Sequence, residues 1–292
     1  MTVLHDALAR SRRLAPRSAA LYRKGIDAFV AFTGAGPWNG AGVEAFRDAL
    51  AARGLRPASV NAHLAGVRYA SRRLADLGMG LDFARAAELQ RVPWGLRRVL
   101  SLAEARALVR ACDGSAPRDL RDRALLLVAL RTGLRRAELV RLGLDDVTPG
   151  ALRVHRKGGR VEVVPLDAEA GAALRAWIAW LRRHGVRAGF VFRSVARWPS
   201  IEGGHFRIGQ SLSPDGMRRA LAARAARAHL RGVHPHALRH TFVTLALGAG
   251  VPLARVALLA SHRDPKTTMR YAHLLGLGDE AADPGGVLPP LT

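Results

Sequence analysis

Apolar residues recur at three- and four-residue spacing through most of residues 14–90, and this spacing is typical of amphipathic helices. Glycine and proline interrupt the pattern at several points, where the chain is expected to turn. Helices are therefore predicted at residues 18–32, 42–53, 57–77 and 82–90. Because helices joined by short breaks pack against one another, this stretch predicts a small all-helical bundle.

The helical pattern stops at residues 91–95, which contain a proline and a glycine and are predicted to form a linker. Just beyond them, Ser101 and Glu104 have the spacing of a capping box, which predicts the start of a new helix. The chain is therefore divided into a helical domain at 1–92, a second domain at 93–283 and a tail at 284–292.

The second domain is predicted to mix helices with a little strand. Residues 151–154 and 160–164 alternate apolar and polar side chains around a glycine turn, which predicts a β-hairpin. Helices are predicted at residues 119–131, 135–141, 168–183, 214–229, 235–249, 252–261 and 266–275. Residues 193–211 are polar and irregular and predict a loop or a small hairpin. The expected fold class is mainly α with a small antiparallel β element (α+β).

The charge of the chain points to a polyanionic partner. It has 46 Lys and Arg against 23 Asp and Glu, a net charge of +23, and nucleic acid is the first expectation for such a surplus. A GC-rich genome also raises arginine content, but it does not by itself create an excess over acids. Arginines of the helical domain either contact DNA or are simply solvated: Arg56, Arg68, Arg72 and Arg73.

Cysteine content and hydropathy limit the cellular location. Cys112 is the only cysteine, so no internal disulfide can form, which fits a reducing cytoplasm. With the nucleic-acid partner expected from the charge, the expected location is the nucleoid. The first 13 residues lack the apolar core of a signal peptide, and no run of about 18 apolar residues predicts a membrane span. No membrane partner is expected.

A segment near the C-terminal end brings together side chains that handle phosphate. His236 and Arg239 share one face at the start of a predicted helix, whose backbone amides also favour an anion. His262 and Tyr271 follow them. An imidazole can move protons and a phenol can attack phosphorus, so the segment indicates phosphoryl transfer on a nucleic acid.

The spacing of His236 and His240 also suits zinc on a helix. A zinc site needs a third ligand and a general base, however, and acidic residues are sparse nearby. No metal and no cofactor are therefore expected, and His240 is predicted to support helix packing.

Together with two motifs earlier in the chain, this segment resembles the tyrosine site-specific recombinases, the phage-integrase family. The resemblance covers the second domain almost fully, and the first domain is similar to the family's SAM-like core-binding domain. The motifs that carry it are Thr132-Gly133-Leu134-Arg135-Arg136-Ala137-Glu138-Leu139, Lys157-Gly158-Gly159-Arg160, His236-Ala237-Leu238-Arg239-His240, Leu259-Ala260-Ser261-His262 and Tyr271-Ala272-His273. Because little sequence precedes the first predicted helix, the chain resembles the simpler, Xer-like or transposon-type members that have no arm-binding domain.

The resemblance implies how the scissile phosphate would be held. Arg135 and Arg239 would bind its non-bridging oxygens, and His236 and His262 would donate hydrogen bonds to it or assist proton transfer. Arg136 follows Arg135 directly, so the sequence leaves open which of the two guanidiniums points inward. Glu138 is expected to support this helix and its arginines. The family usually has glycine where this chain has Ser261.

The resemblance also implies a nucleophile and an acid. Tyr271 would attack the phosphorus and form a 3′-phosphotyrosyl bond, so that strand exchange needs neither ATP nor a metal. Lys157 would protonate the leaving 5′-oxygen, a task for which arginine is a poor acid.

The partners implied are double-stranded DNA and a homo-tetramer that exchanges strands through a Holliday junction. The tail either docks on a neighbouring protomer or is an unordered end. Two other functions stay open at this point: a type IB topoisomerase-like enzyme that nicks and closes one duplex, and a non-catalytic DNA-binding protein on the same scaffold.

Overall fold

The structure is a computed structural model, and it describes residues 2–10, 14–34, 36, 38–92, 98–156, 158–197, 206–261, 268–269, 271 and 288–292. The chain divides into two compact units, Met1–Gly95 and Leu96–Thr292. Lys157 and His262, two of the predicted catalytic residues, lie outside the described residues.

The described part of the first unit is a helical bundle. Its helices are α1 (Val3–Ala9), α2 (Pro16–Thr33), α3 (Gly40–Ala52) and α4 (Pro57–Asp76). Three of the predicted helices correspond to α2, α3 and α4, whereas α1 was not predicted. The helices enclose an apolar core that includes the buried side chains of Phe29, Phe46, Val60 and Leu64.

The helix predicted at residues 82–90 is wrong: this segment is turns and irregular backbone. Side chains of α4 satisfy its polar groups in place of a helical ladder. The Ser71 hydroxyl donates to Asp82 Oδ1 at 2.7 Å and accepts from the Ala84 N–H at 3.0 Å. Asn61 exchanges two hydrogen bonds of 2.8 Å with the backbone of Gln90. Phe83, Ala84 and Ala87 of this segment therefore pack in or against the core of the bundle without forming a helix.

The second unit is mainly helical with small antiparallel sheets, which confirms the predicted fold class. In chain order its elements are α5 (Leu102–Arg110), α6 (Pro117–Thr132), α7 (Arg136–Arg141), a 3-10 turn (Leu144–Asp146), β1 (Val147–Thr148), β2 (Ala151–His155), β3 (Val161–Pro165), α8 (Ala168–Arg183), β4 (Val195–Arg197), β5 (Phe206–Ile208), α9 (Pro214–Arg227), α10 (Pro235–Gly248) and α11 (Leu253–Leu259). The predicted helix at 266–275 lies mostly outside the described residues; Thr268, Met269 and Tyr271 are helical.

The start of α5 confirms the predicted capping box. The Ser101 hydroxyl accepts from the Glu104 N–H at 3.1 Å, and the Glu104 carboxylate accepts from the Ser101 N–H at 2.9 Å. Each bond satisfies a backbone donor that the first turn of a helix leaves without a partner.

The predicted hairpin is β2–β3, paired antiparallel with Val154 opposite Glu162, and β1 extends it to three strands. Gly158 and Gly159 follow β2 with φ of 92° and 81°, a conformation that favours glycine. Strands β4 and β5 also pair antiparallel, with Val195 opposite Ile208. Of the two alternatives predicted for residues 193–211, the small hairpin is therefore the one observed.

Helix α6 lies at the centre of the second unit and packs against both α8 and α10. From Ala124 to Leu130 every side chain of this helix is buried. A helix that is apolar on all sides must be surrounded by protein, so α6 serves as the support on which the site is built.

The last five residues pack on the unit that contains them. The Leu291 N–H donates to both carboxylate oxygens of Glu169, at 3.0 and 3.2 Å, and the Leu291 side chain is buried. Arg106 Nε donates to the carbonyl of Pro290 at 3.0 Å.

Candidate active site

The junction between α6 and α7 forms the base of the site. Helix α6 ends at Gly133, which has a φ of 61°, and Arg135 is the N-cap residue of α7. A Cβ atom at Gly133 would overlap the ring of Phe242 on α10. Glycine is therefore required here twice, for its left-handed backbone and for the close approach of α10.

Arg135 is held by its neighbours at both ends. Its backbone N–H donates to Glu138 Oε2 at 2.7 Å, and its Nη1 donates to Glu138 Oε1 at 3.0 Å. Its Nη2 donates to the carbonyl of Ser261 at 2.7 Å. Arg135 thereby joins the start of α7 to the chain that follows α11. Of the two consecutive arginines, Arg135 lines the cavity described below.

Glu138 is the carboxylate that two arginines share. Besides Arg135, it accepts from Arg156 Nη1 at 2.7 Å, and Arg156 Nε donates to Glu162 at 3.0 Å. Burial alone would raise the pKa of Glu138, but the Arg135 N–H and the charge of Arg156 together hold this pKa below its ordinary value. Glu138 is therefore ionised at neutral pH and fixes both guanidiniums.

Arg239 belongs to α10 and is buried, with 6% of its surface exposed. Its Nη1 donates to the carbonyl of Gly133 at 2.7 Å, and its Nη2 donates to the carbonyl of Ala260. Burial, and then the positive charge of Arg135, lower the pKa of Arg239 to about 10. The Arg239 guanidinium is still charged at neutral pH. Burying this charge costs free energy, and the binding of an anion beside it would offset that cost.

Tyr271 lies against the same helix. Its hydroxyl forms a hydrogen bond with His240 Nδ1, and the centroids of the two rings are 5.5 Å apart. Both side chains are buried, whereas His236, one turn earlier, is exposed, with its ring centroid 6.4 Å from that of His240. Three predicted site residues, His236, Arg239 and Tyr271, are thus brought together on or against α10.

An open cavity of about 830 Å³ lies beside Arg135. The residues that line it come from α7, the β2–β3 hairpin and α11 with the residues after it: Arg135, Ala137, Glu138, Arg141, His155, Arg156, Arg160, Glu162, Ala257, Leu258 and Ser261. Four arginines against two glutamates make this cavity positive, as the binding of a phosphate requires.

The sequence pattern did not predict the role of Arg156. It is buried and bonded to two glutamates, and it immediately precedes Lys157. A signal was present in the sequence. Arg156 follows one alternating strand and lies six residues before Glu162 of the next, across a glycine turn, which suggests a cross-strand ion pair.

Ser261 has a φ of 50°, in the left-handed region that favours glycine. This explains physically why a glycine suits the position before His262. Within the described residues, no group of three or more His, Cys, Asp or Glu side chains could hold a metal ion.

Comparison with known proteins identifies the family. The profile of the Phage integrase family matches residues 98–276. The chain is 29% identical over 283 residues to tyrosine recombinase XerC of Pseudomonas putida strain F1, covering 91% of this chain and 88% of that protein. It is 32% identical over 232 residues to tyrosine recombinase XerD of Listeria monocytogenes, covering 77% and 74%. The chain therefore belongs to the phage integrase family of tyrosine recombinases.

Solved structures share the fold. XerH recombinase in a post-cleavage complex with palindromic difH substrate matches with a TM-score of 0.69 and 18% identity, covering 93% of this chain and 80% of that one. A lambda integrase dimer bound to a COC′ core site matches with a TM-score of 0.68 and 17% identity, covering 96% of this chain and 94% of that one.

Among the described residues, no helix is both long and apolar enough to cross a membrane.

Proposed function

We propose that this chain performs site-specific DNA recombination, cleaving and rejoining strands through a 3′-phosphotyrosyl bond on Tyr271. The observation that carries the proposal is the convergence of two guanidiniums and a tyrosine. Arg135 binds the carbonyl of Ser261, Arg239 binds that of the preceding Ala260, and Tyr271 packs in the same cluster as Ala260. Family membership supports the same chemistry.

Charge is the main contribution of the arginines. In phosphoryl transfer, negative charge spreads over the non-bridging oxygens, and preorganised donors stabilise it most. Arg135 and Arg239 are each fixed by backbone carbonyls, so they lose little freedom when the phosphate binds. The exposed imidazole of His236, at the start of α10, would donate to the same phosphate.

Lys157 and His262 complete the proposed set. Lys157 would protonate the 5′-oxygen as the P–O bond breaks, and Arg156 and Arg160 on either side of it line the cavity. His262 would hydrogen-bond the phosphate, since it follows Ser261, whose carbonyl binds Arg135. Both roles depend on their positions in the family's motifs.

The helical domain, predicted from the sequence at residues 1–92, would bind the DNA duplex together with the second domain. We further propose a homo-tetramer on two DNA sites in the cytoplasm, at the nucleoid; a solved lambda integrase, similar in fold, is a tetramer bound to a Holliday junction. The site at Glu169 and Arg106 that binds Leu291 and Pro290 would accept the same residues of a neighbouring protomer's tail.

The test begins with a library of nicked duplexes of random sequence, from which covalent protein–DNA adducts are recovered. Wild-type protein and Tyr69→Phe should both form adducts, and Tyr271→Phe should form none. Two copies of the recovered sequence, placed on one plasmid, should recombine. Relaxation of supercoils without recombination would indicate a topoisomerase, and adducts from Tyr271→Phe would refute the proposed nucleophile.

A further inference from the structure

The hydrogen bond between Tyr271 and His240 gives His240 a contact that no phosphate-binding role explains. Tyr271 belongs to an apolar cluster with Phe242, Val243, Ala246, Leu247, Val256 and Ala260. Tyr271 is 2% exposed and His240 is 6% exposed. A polar group buried among apolar side chains costs free energy unless it is hydrogen-bonded. The hydrogen bond to His240 therefore sets the orientation of the Tyr271 hydroxyl.

A neutral imidazole suits this pair. A phenol donates a hydrogen bond readily, and Nδ1 can accept it only when the ring is neutral and carries its proton on Nε2. In this form His240 orients the hydroxyl oxygen of Tyr271 without taking a charge into the apolar cluster.

The position of His240 in the chain links the phenol to the phosphate-binding arginine. Arg239 is the preceding residue of the same helix, and its guanidinium reaches the carbonyl of Ala260, which belongs to the cluster around Tyr271. Two consecutive residues of α10 therefore reach the Tyr271 hydroxyl and a carbonyl in the cluster that contains Tyr271.

We propose that His240 is a positioning residue for the nucleophile, with Nδ1 setting the direction of the Tyr271 hydroxyl relative to Arg239. The inference rests on the proposed function of Tyr271. It replaces the packing role predicted for His240 from the sequence with a specific hydrogen bond. His240 acts through the phenol and need not touch the DNA.

The test compares His240→Asn with His240→Gln. The Asn amide oxygen is bonded to Cγ, as Nδ1 is, so it can accept from Tyr271. The Gln amide is one bond further out, near the place of Nε2. Both variants bury a neutral amide, so they are matched in polarity. The readout is the single-turnover rate of adduct formation at saturating protein, with DNA affinity measured separately.

We expect His240→Asn to cleave within about 5-fold of wild type and His240→Gln to be about 100-fold slower, since small misplacements of a reacting group have effects of that order. DNA affinity should be unchanged in both. Equal rates for the two variants would overturn the positioning role.

His240→Leu provides a second measurement, because it fills the space without an acceptor and favours burial. It should cleave as slowly as His240→Gln and bind DNA as wild type does; wild-type cleavage by this variant would also overturn the inference. If the wild-type protein itself forms no adduct, the proposed function has failed and not only the role of His240.

Discussion

At the scale of single residues, the site depends on backbone carbonyls placed by unusual conformations. Gly133 at φ 61° and Ser261 at φ 50° each present a carbonyl to an arginine of the site. Arg239 is oriented by carbonyls, so these contacts need no carboxylate that would compete with phosphate. Arg135 is oriented by a carbonyl and by the carboxylate of Glu138.

Gly133→Ala should lower the free energy of unfolding by about 3 kcal/mol, because it adds backbone strain to a steric overlap with Phe242. Cleavage should fall as well, since the Gly133 carbonyl binds Arg239. The matched control is Gly150→Ala, at φ 72° with open space around it, which should cost only about 1 kcal/mol. Urea denaturation measures both, and equal losses would contradict the role of Phe242.

Glu138→Gln should destabilise the protein by about 2 kcal/mol at neutral pH, because two charge-assisted hydrogen bonds are weakened. The folded pKa of Glu138 lies below its ordinary value of 4.5, so its contribution is full above pH 4.5 and is lost as the pH falls through the folded pKa. The difference between wild type and variant should therefore shrink below pH 4.5. A difference that grew on acidification would contradict this account; exposed Glu44→Gln is the control.

At the scale of elements, a buried ion network joins α6 to α9. Asp122 accepts from Arg121 Nη2 at 2.6 Å and from Arg224 Nε at 2.8 Å, and Arg224 also pairs with Asp119 at 2.6 Å. The charged groups are largely removed from water, so each depends on the others for compensation.

Asp122→Ala should cost about 3–5 kcal/mol of folding free energy, since it removes the carboxylate that pairs with buried Arg121 and one of the two that pair with buried Arg224. Asp113→Ala removes a carboxylate that pairs with Arg123 on the surface of the same unit, and it should cost less than about 1 kcal/mol. Thermal and urea unfolding of both variants checks the contrast. A loss in Asp122→Ala as small as that in Asp113→Ala would show that the network does not stabilise the contact.

Periodicity and caps were enough to predict most helices and the β2–β3 hairpin, because these depend on local sequence. The segment at 82–90 had helical spacing, but Ser71 and Asn61 of α4 satisfied its backbone, a tertiary effect that spacing cannot reveal. Likewise, the motifs predicted a set of candidate site residues. The bond of His240 to Tyr271 could not be predicted from them, because it joins residues 31 positions apart. The predicted catalytic roles of all six residues stay predictions, and Lys157 and His262 also lie outside the described residues.

At the scale of the whole molecule, the net charge of +23 predicts DNA binding that weakens steeply with salt. The slope of log K against log salt should be about −0.9 per phosphate neutralised, and thus on the order of −5 to −9 for six to ten contacts. Arg72 is an exposed arginine beside Tyr22 and Tyr69. The substitution Arg72→Ala should make the salt dependence less steep, by about 1 in the slope. Arg73 is already paired with Asp76, so Arg73→Ala should change the slope less than Arg72→Ala does. A larger change in slope for Arg73→Ala than for Arg72→Ala would contradict a DNA-facing surface at Arg72.

The proposed reaction bonds Tyr271 covalently to the 3′-phosphate of a cleaved DNA strand. The chain has three tyrosines, so protease digestion of the trapped adduct and mass spectrometry can assign the bond to one of them. We expect a nucleotide on the peptide that contains Tyr271, with a free 5′-hydroxyl on the other DNA end. A nucleotide on Tyr22 or Tyr69, or a bond to a 5′-phosphate, would contradict it.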